Sequence, residues 1–118
     1  MVEAAYLELS TGPRFAHRSE AEFARLLDFY HVEWRYEPCT FPICWDASGK
    51  VTEWFSPDFY LPQYDVFLEM TVQSPRLQSR KNRKVRLLLQ AYPDLQIKLF
   101  TRRDVERIFS NRLSAASC

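Results

Sequence analysis

Apolar positions recur along this chain with two periods, and each change of period marks a boundary between elements. Phe23, Leu26, Leu27 and Tyr30 fall at helical spacing, and Ser19-Glu20-Ala21-Glu22 before them reads as a capping box, with Ser19 at the N-cap and Glu22 at N3. This predicts a helix over about 19–30. Val32 to Ile43 is rich in β-branched and aromatic residues and predicts a strand. Asp46 to Lys50 predicts a turn, Val51 to Leu61 a second strand, Pro62 to Asp65 another turn, and Val66 to Val72 a third strand.

After Ser74-Pro75 the helical period returns. Leu77, Val85, Leu88, Leu89 and Tyr92 mark a helix over about 76–91, stopped before Pro93. Ile97 to Thr101 predicts a short strand, and Val105, Ile108, Phe109 and Leu113 predict a closing helix from Arg102 onward. The order α-β-β-β-α-β-α belongs to the α/β class. Three strands joined by short turns form an antiparallel meander, and the fourth arrives by a helical crossover. There is no repeat, low-complexity stretch or Pro/Ser linker, so residues 1–118 read as one domain.

Composition narrows the function. Nine Phe, six Tyr and three Trp in 118 residues argue for a packed core rather than disorder. Two glycines leave no room for a Gly-rich phosphate loop or a dinucleotide fingerprint, so no nucleotide cofactor is expected. No apolar run approaches the ~18–20 residues of a membrane span. Met1 to Ser10 carries Glu3 and Glu8 and no basic n-region, so no secretory signal is expected and the expected location is the cytoplasm. Cys39, Cys44 and Cys118 are expected to be reduced. Cys39 and Cys44 are spaced C-x4-C, only His17 and His31 offer imidazole, and buried strand cysteines are expected ahead of a zinc site.

The net charge of +1 hides an asymmetry. Residues 1–75 hold 5 Lys/Arg against 12 Asp/Glu, and residues 76–118 hold 11 against 3. An acidic cluster beside a basic face suits a protein that binds a metal and a phosphate backbone together, and equally one that neutralises itself internally.

The turn at 62–65 brings out candidate chemistry. If Leu61 faces Val66, Asp58 lies across from Glu69, with side chains on one face about 5 Å apart at Cβ. Val66, Leu68, Met70 and Val72 then share the opposite, core face with Phe59 and Leu61. Two facing carboxylates repel unless a cation lies between them, and a hard divalent ion such as Mg²⁺ suits them. Two blander readings stand beside this one: both carboxylates are solvated, or one pairs with Arg.

On the 76–91 helix, Lys81 falls within the stripe of Leu77, Val85, Leu88 and Tyr92, with Lys84 at its edge. Lys81 either snorkels along the sheet or sits beside the Asp58–Glu69 pair, where it orients a water or stabilises developing charge. Glu20, partly inward at the start of the first helix, either complements the helix dipole or is a third carboxylate at the metal. Six of the eleven residues from Arg76 to Arg86 are basic. Arg76, Arg80 and Arg83 are expected to point outward, as a solvated face or as phosphate contacts.

The element order, Pro57-Asp58 ending the second strand and Glu69 in the third together resemble the PD-(D/E)xK nuclease superfamily. Ser19-Glu20 with Phe23-Ala24 and Leu27, then Tyr36-Glu37-Pro38, also resemble the opening helix and first strand of several such families. The resemblance covers about residues 15–103. It implies a restriction-endonuclease-like α-β-β-β-α-β core, with a mixed four-stranded sheet flanked by helices and followed by a C-terminal helix.

The resemblance also implies Mg²⁺- or Mn²⁺-dependent hydrolysis of phosphodiester bonds in DNA. Asp58 and Glu69 would hold the metal, with Glu20 or a water bridging to it. The superfamily places a lysine two residues after the acidic residue, where this chain has Thr71. Some members carry that cation on the following helix, which makes Lys81 the candidate and Lys84 the reserve. Thr71 and Gln73 would line the pocket, with Glu37 on its acidic rim. A catalytically inactive module binding nucleic acid or a protein is the alternative that Thr71 leaves open. Duplex cleavage by so short a chain implies a homodimer or a partner subunit.

Overall fold

The computed structural model describes residues 15–101 together with 103, 104 and 107. The expectations for Met1 to Ser10, for Cys118, and for Val105, Ile108, Phe109 and Leu113 of the closing helix lie outside the described residues. The elements in chain order are α1 (Arg18–Phe29), β1 (Arg35–Tyr36), β2 (Phe41–Trp45), β3 (Val51–Phe55), β4 (Phe59–Leu61), β5 (Val66–Met70), α2 (Pro75–Ala91) and β6 (Ile97–Phe100). They form an α/β fold with a mixed four-stranded sheet, β1-β4-β5-β6, and a separate two-stranded sheet, β2-β3. Among the described residues, no helix is long and apolar enough to cross a membrane.

Each of the first two predicted strands breaks in the middle, and prolines mark the breaks. Glu37 takes a positive φ of 43° just before Pro38 and ends β1. Ser56-Pro57 ends β3, and a proline cannot donate to a ladder. The inner halves, β1 and β4, pair antiparallel in the main sheet; the outer halves, β2 and β3, pair as an arm. The expected three-strand meander is therefore β1-β4-β5, with the β2-β3 arm inserted between its first and second strands.

The β4-β5 register is the expected one. Leu61 faces Val66, Tyr60 faces Phe67 and Phe59 faces Leu68, across a turn that Asp65 closes at φ 50°. β6 pairs parallel to β5 after the α2 crossover, as the helical connection requires.

Two apolar clusters hold these layers. One packs Phe23, Ala24 and Leu27 of α1 against Phe59, Leu61, Val66, Leu68 and Met70, the predicted core face of β4 and β5. The other packs Ile43 and Phe55 of the arm against Leu88, with Val85 and Tyr92 beside them. All five residues of β5 are buried, because α1 covers one face of the strand and α2 and the arm lie toward the other.

Three local expectations are corrected. The N-cap of α1 is His17, not Ser19, and it makes no side-chain capping bond. Glu20 thus becomes N3 and reaches back to the Ala16 N–H, while Glu22 pairs with Arg18. β5 ends at Met70, so Val72 and Gln73 lie beyond the strand; the Val72 N–H is taken by the Gln78 side chain at 2.8 Å. Cys39 is exposed and Cys44 half-buried, both free thiols, because Pro38 puts Cys39 in the connection between β1 and β2 rather than inside a strand.

Candidate metal and phosphodiester site

Asp58 stands one residue before β4, and Glu69 lies on β5 directly beyond the Phe59–Leu68 pair. Their carboxylates share a cleft of about 400 Å³, walled by the start of α1, Glu37, the end of β5 and the first half of α2. Asp58 is 6% exposed and Glu69 3%. Each carboxylate accepts a backbone N–H from the other's segment. Asp58 N–H donates to Glu69 Oε1 at 3.0 Å, and Met70 N–H donates to Asp58 Oδ2 at 3.0 Å.

Lys81 arrives from α2. Ser74 caps that helix by accepting the Leu77 N–H, and Pro75 occupies the position where a missing N–H costs nothing. Six residues after Pro75, Lys81 faces the sheet. Its Nζ donates to the Met70 carbonyl at 2.6 Å and lies 3.1 Å from Glu69 Oε2 and 3.8 Å from Asp58 Oδ2. Of the two placements expected for Lys81, the structure shows the one beside the Asp58–Glu69 pair. Lys84 lines the cleft one turn on, and Arg80 also lines it.

Burial raises both acids above the ordinary carboxylate range, Asp58 to about 6 and Glu69 to about 7. The Met70 N–H and the Lys81 charge pull Asp58 back down, while Glu20 and Glu37 push it up. The Asp58 charge adds to the rise at Glu69, and Lys81 opposes it. Burial, with repulsion from neighbouring acids, thus outweighs one ammonium.

The remaining candidates divide. Glu20 is buried in the cleft wall, but its Oε1 accepts the Tyr36 hydroxyl at 2.5 Å and the Ala16 N–H at 3.2 Å. Among the described residues, no group of three or more His, Cys, Asp or Glu is arranged to hold a metal ion. Glu20 thus stands in the wall of the cleft that holds Asp58 and Glu69, with Oε1 held by Tyr36 and Ala16. Burial and the Glu20 bond raise the Tyr36 phenol well above its ordinary value.

Thr71 lines the cleft; Gln73 is exposed and does not. Arg76 is exposed and outside the cleft lining. Arg83 is exposed on α2, as expected. It bonds Glu53 of β3 at 2.8 Å, which holds the Glu53 carboxyl below its usual range.

Sequence reasoning missed two participants. Tyr36 lies on a two-residue strand with no periodicity to read. The Met70 carbonyl carries no side-chain signal at all. Comparison with family models, with curated proteins and with solved structures finds no match for this chain.

Proposed function

We propose that this chain is a Mg²⁺-dependent endonuclease-like domain that hydrolyses phosphodiester bonds in DNA, with Asp58, Glu69 and Lys81 as its working residues. The observation that carries the reading is the Lys81 ammonium at 3.1 Å from Glu69 and 3.8 Å from Asp58. A cation that the PD-(D/E)xK pattern would place at Thr71 is supplied from α2 instead.

The donor set fits a hard cation. Two carboxylates and the Met70 carbonyl are oxygen donors of the class that suits Mg²⁺ or Mn²⁺. Asp58 Oδ1 makes no hydrogen bond among the described residues. A bound Mg²⁺ would supply charge neutralisation at the scissile phosphate and a lowered pKa for an attacking water.

The residues supply the rest. The reciprocal N–H bonds fix Asp58 and Glu69 before any ligand arrives, so no reorganisation is needed during reaction. Lys81 holds a proton at Nζ and orients a water or the phosphate. Arg80 and Lys84, on the same cleft wall, attract the phosphate backbone without reading sequence. Glu20, held by Tyr36 and Ala16, keeps the rim acidic beside Asp58. With one such site among the described residues, cutting both strands calls for a homodimer or a partner subunit.

One observation favours the second reading, a module that binds nucleic acid or a protein without cutting. Asp58 Oδ2 and both Glu69 oxygens already have partners within the chain. Incubation with supercoiled plasmid in Mg²⁺ separates the two readings. Nicked or linear product that EDTA abolishes supports the nuclease, and DNA retention without any product supports the module.

A further inference from the structure

We propose that the Lys81 ammonium is the resident cation of this site, seated on oxygens that a divalent ion would draw on, so that metal entry and the Lys81–Glu69 contact exclude one another. The inference rests on the nuclease reading and concerns how that site is loaded.

Three oxygens from three groups converge on one nitrogen. Lys81 Nζ lies 2.6 Å from the Met70 carbonyl, 3.1 Å from Glu69 Oε2 and 3.8 Å from Asp58 Oδ2. An ammonium is a compact charge with three donors, and here it has two oxygens within hydrogen-bond distance and a third at ion-pair distance. A divalent cation would draw on the same oxygens, and Mg²⁺ requires them at about 2.0–2.1 Å. With both cations drawing on these oxygens, two like charges would stand within a few ångströms of each other in a partly dry site. That arrangement is unfavourable, so one cation must leave.

Lys81 has a way out. Its side chain keeps 25% exposure, so the flexible stem opens to the cleft that Arg80 and Lys84 line. A phosphate in that cleft would offer the displaced ammonium a new partner. DNA and metal would then assist each other's binding, by equal factors in each direction. Without DNA, the lysine keeps the carboxylate pair compensated and slows metal loading.

The test is Mn²⁺ binding by calorimetry at pH 8, without DNA, on the full chain and on Lys81→Met, Lys81→Gln and Lys84→Met. Both Lys81 variants are expected to bind Mn²⁺ roughly tenfold tighter or more. They should melt below the parent without metal, with Mn²⁺ restoring the difference. Lys84→Met removes the same charge from the cleft wall and should change the affinity much less. If the parent binds Mn²⁺ and the Lys81 variants bind it equally or more weakly, the resident-cation inference fails while the nuclease reading survives. If no protein binds Mn²⁺ and the parent cuts no DNA in its presence, both fall. Should Lys81→Met not fold, Lys81→Gln, which keeps a donor for the Met70 carbonyl, carries the comparison.

Discussion

Asp58 and Glu69 hold each other through the backbone: Asp58 N–H donates to Glu69 Oε1 and Met70 N–H donates to Asp58 Oδ2, both at 3.0 Å. These two buried acids are thus each fixed by the segment that carries the other. Removing either side chain would leave a buried N–H without an acceptor, so amide substitutions that keep an oxygen in place are the informative ones.

Asp58→Asn should abolish metal-dependent cleavage while the protein stays folded. In EDTA at pH 8 it should melt no lower than the parent, because the amide removes a buried charge and can still accept from Met70. Thermal melts with and without EDTA check this. A large loss of stability in EDTA would make Asp58 a structural carboxylate.

Metal-free stability should fall as pH rises. The folded pKa values of Asp58 and Glu69, about 6 and about 7, lie above their ordinary values of 3.8 and 4.5. The folded state therefore binds these protons more tightly, and their contribution is full below about pH 4 and lost as pH passes through 6 to 7. Mg²⁺ needs the ionised forms, so its stabilisation should be larger at pH 8 than at pH 5.5. Urea melts at three pH values, with and without Mg²⁺, read both effects.

Arg80→Ala combined with Lys84→Ala should weaken DNA binding alike for all sequences. The slope of log K against log salt should drop by about 0.9 for each phosphate that the variant no longer neutralises. Arg83→Ala should leave that slope unchanged, since its guanidinium is engaged with Glu53. Salt titrations of binding decide between these residues.

Tyr36→Phe should cost about 1.5–3 kcal/mol in urea melts, the range for a hydrogen bond to a charged group. The Glu20 carboxylate keeps only its Ala16 bond in that variant. An unchanged midpoint would remove Tyr36 from the support of the cleft wall.

The parts legible in the sequence were those governed by local periods. A four-residue turn set the β4–β5 register and with it the Asp58–Glu69 pair, and the helical period aimed Lys81 at the sheet. What stayed illegible depended on contacts between distant elements. Pro38 and Pro57 are visible in the sequence, but whether they end a strand or only kink it depends on what the outer halves pack against. Because the arm packs on α2, the exposed Arg83 also meets Glu53. The first turn of α1 begins two residues before the position that its capping pattern marks, since His17 occupies the N-cap without the side-chain bond that marks Ser, Thr, Asp or Asn there.

Single-turnover cleavage of duplex, single-stranded and branched DNA in Mg²⁺, comparing the parent with Lys81→Met and Lys84→Met, tests the central claim most directly. The account predicts that the parent cuts, that Lys81→Met binds DNA nearly as well yet cuts about 10²–10⁴-fold more slowly, and that Lys84→Met has the smaller effect. Cleavage by Lys81→Met at the parent's rate, or no cleavage by the parent on any of the three substrates, would contradict it.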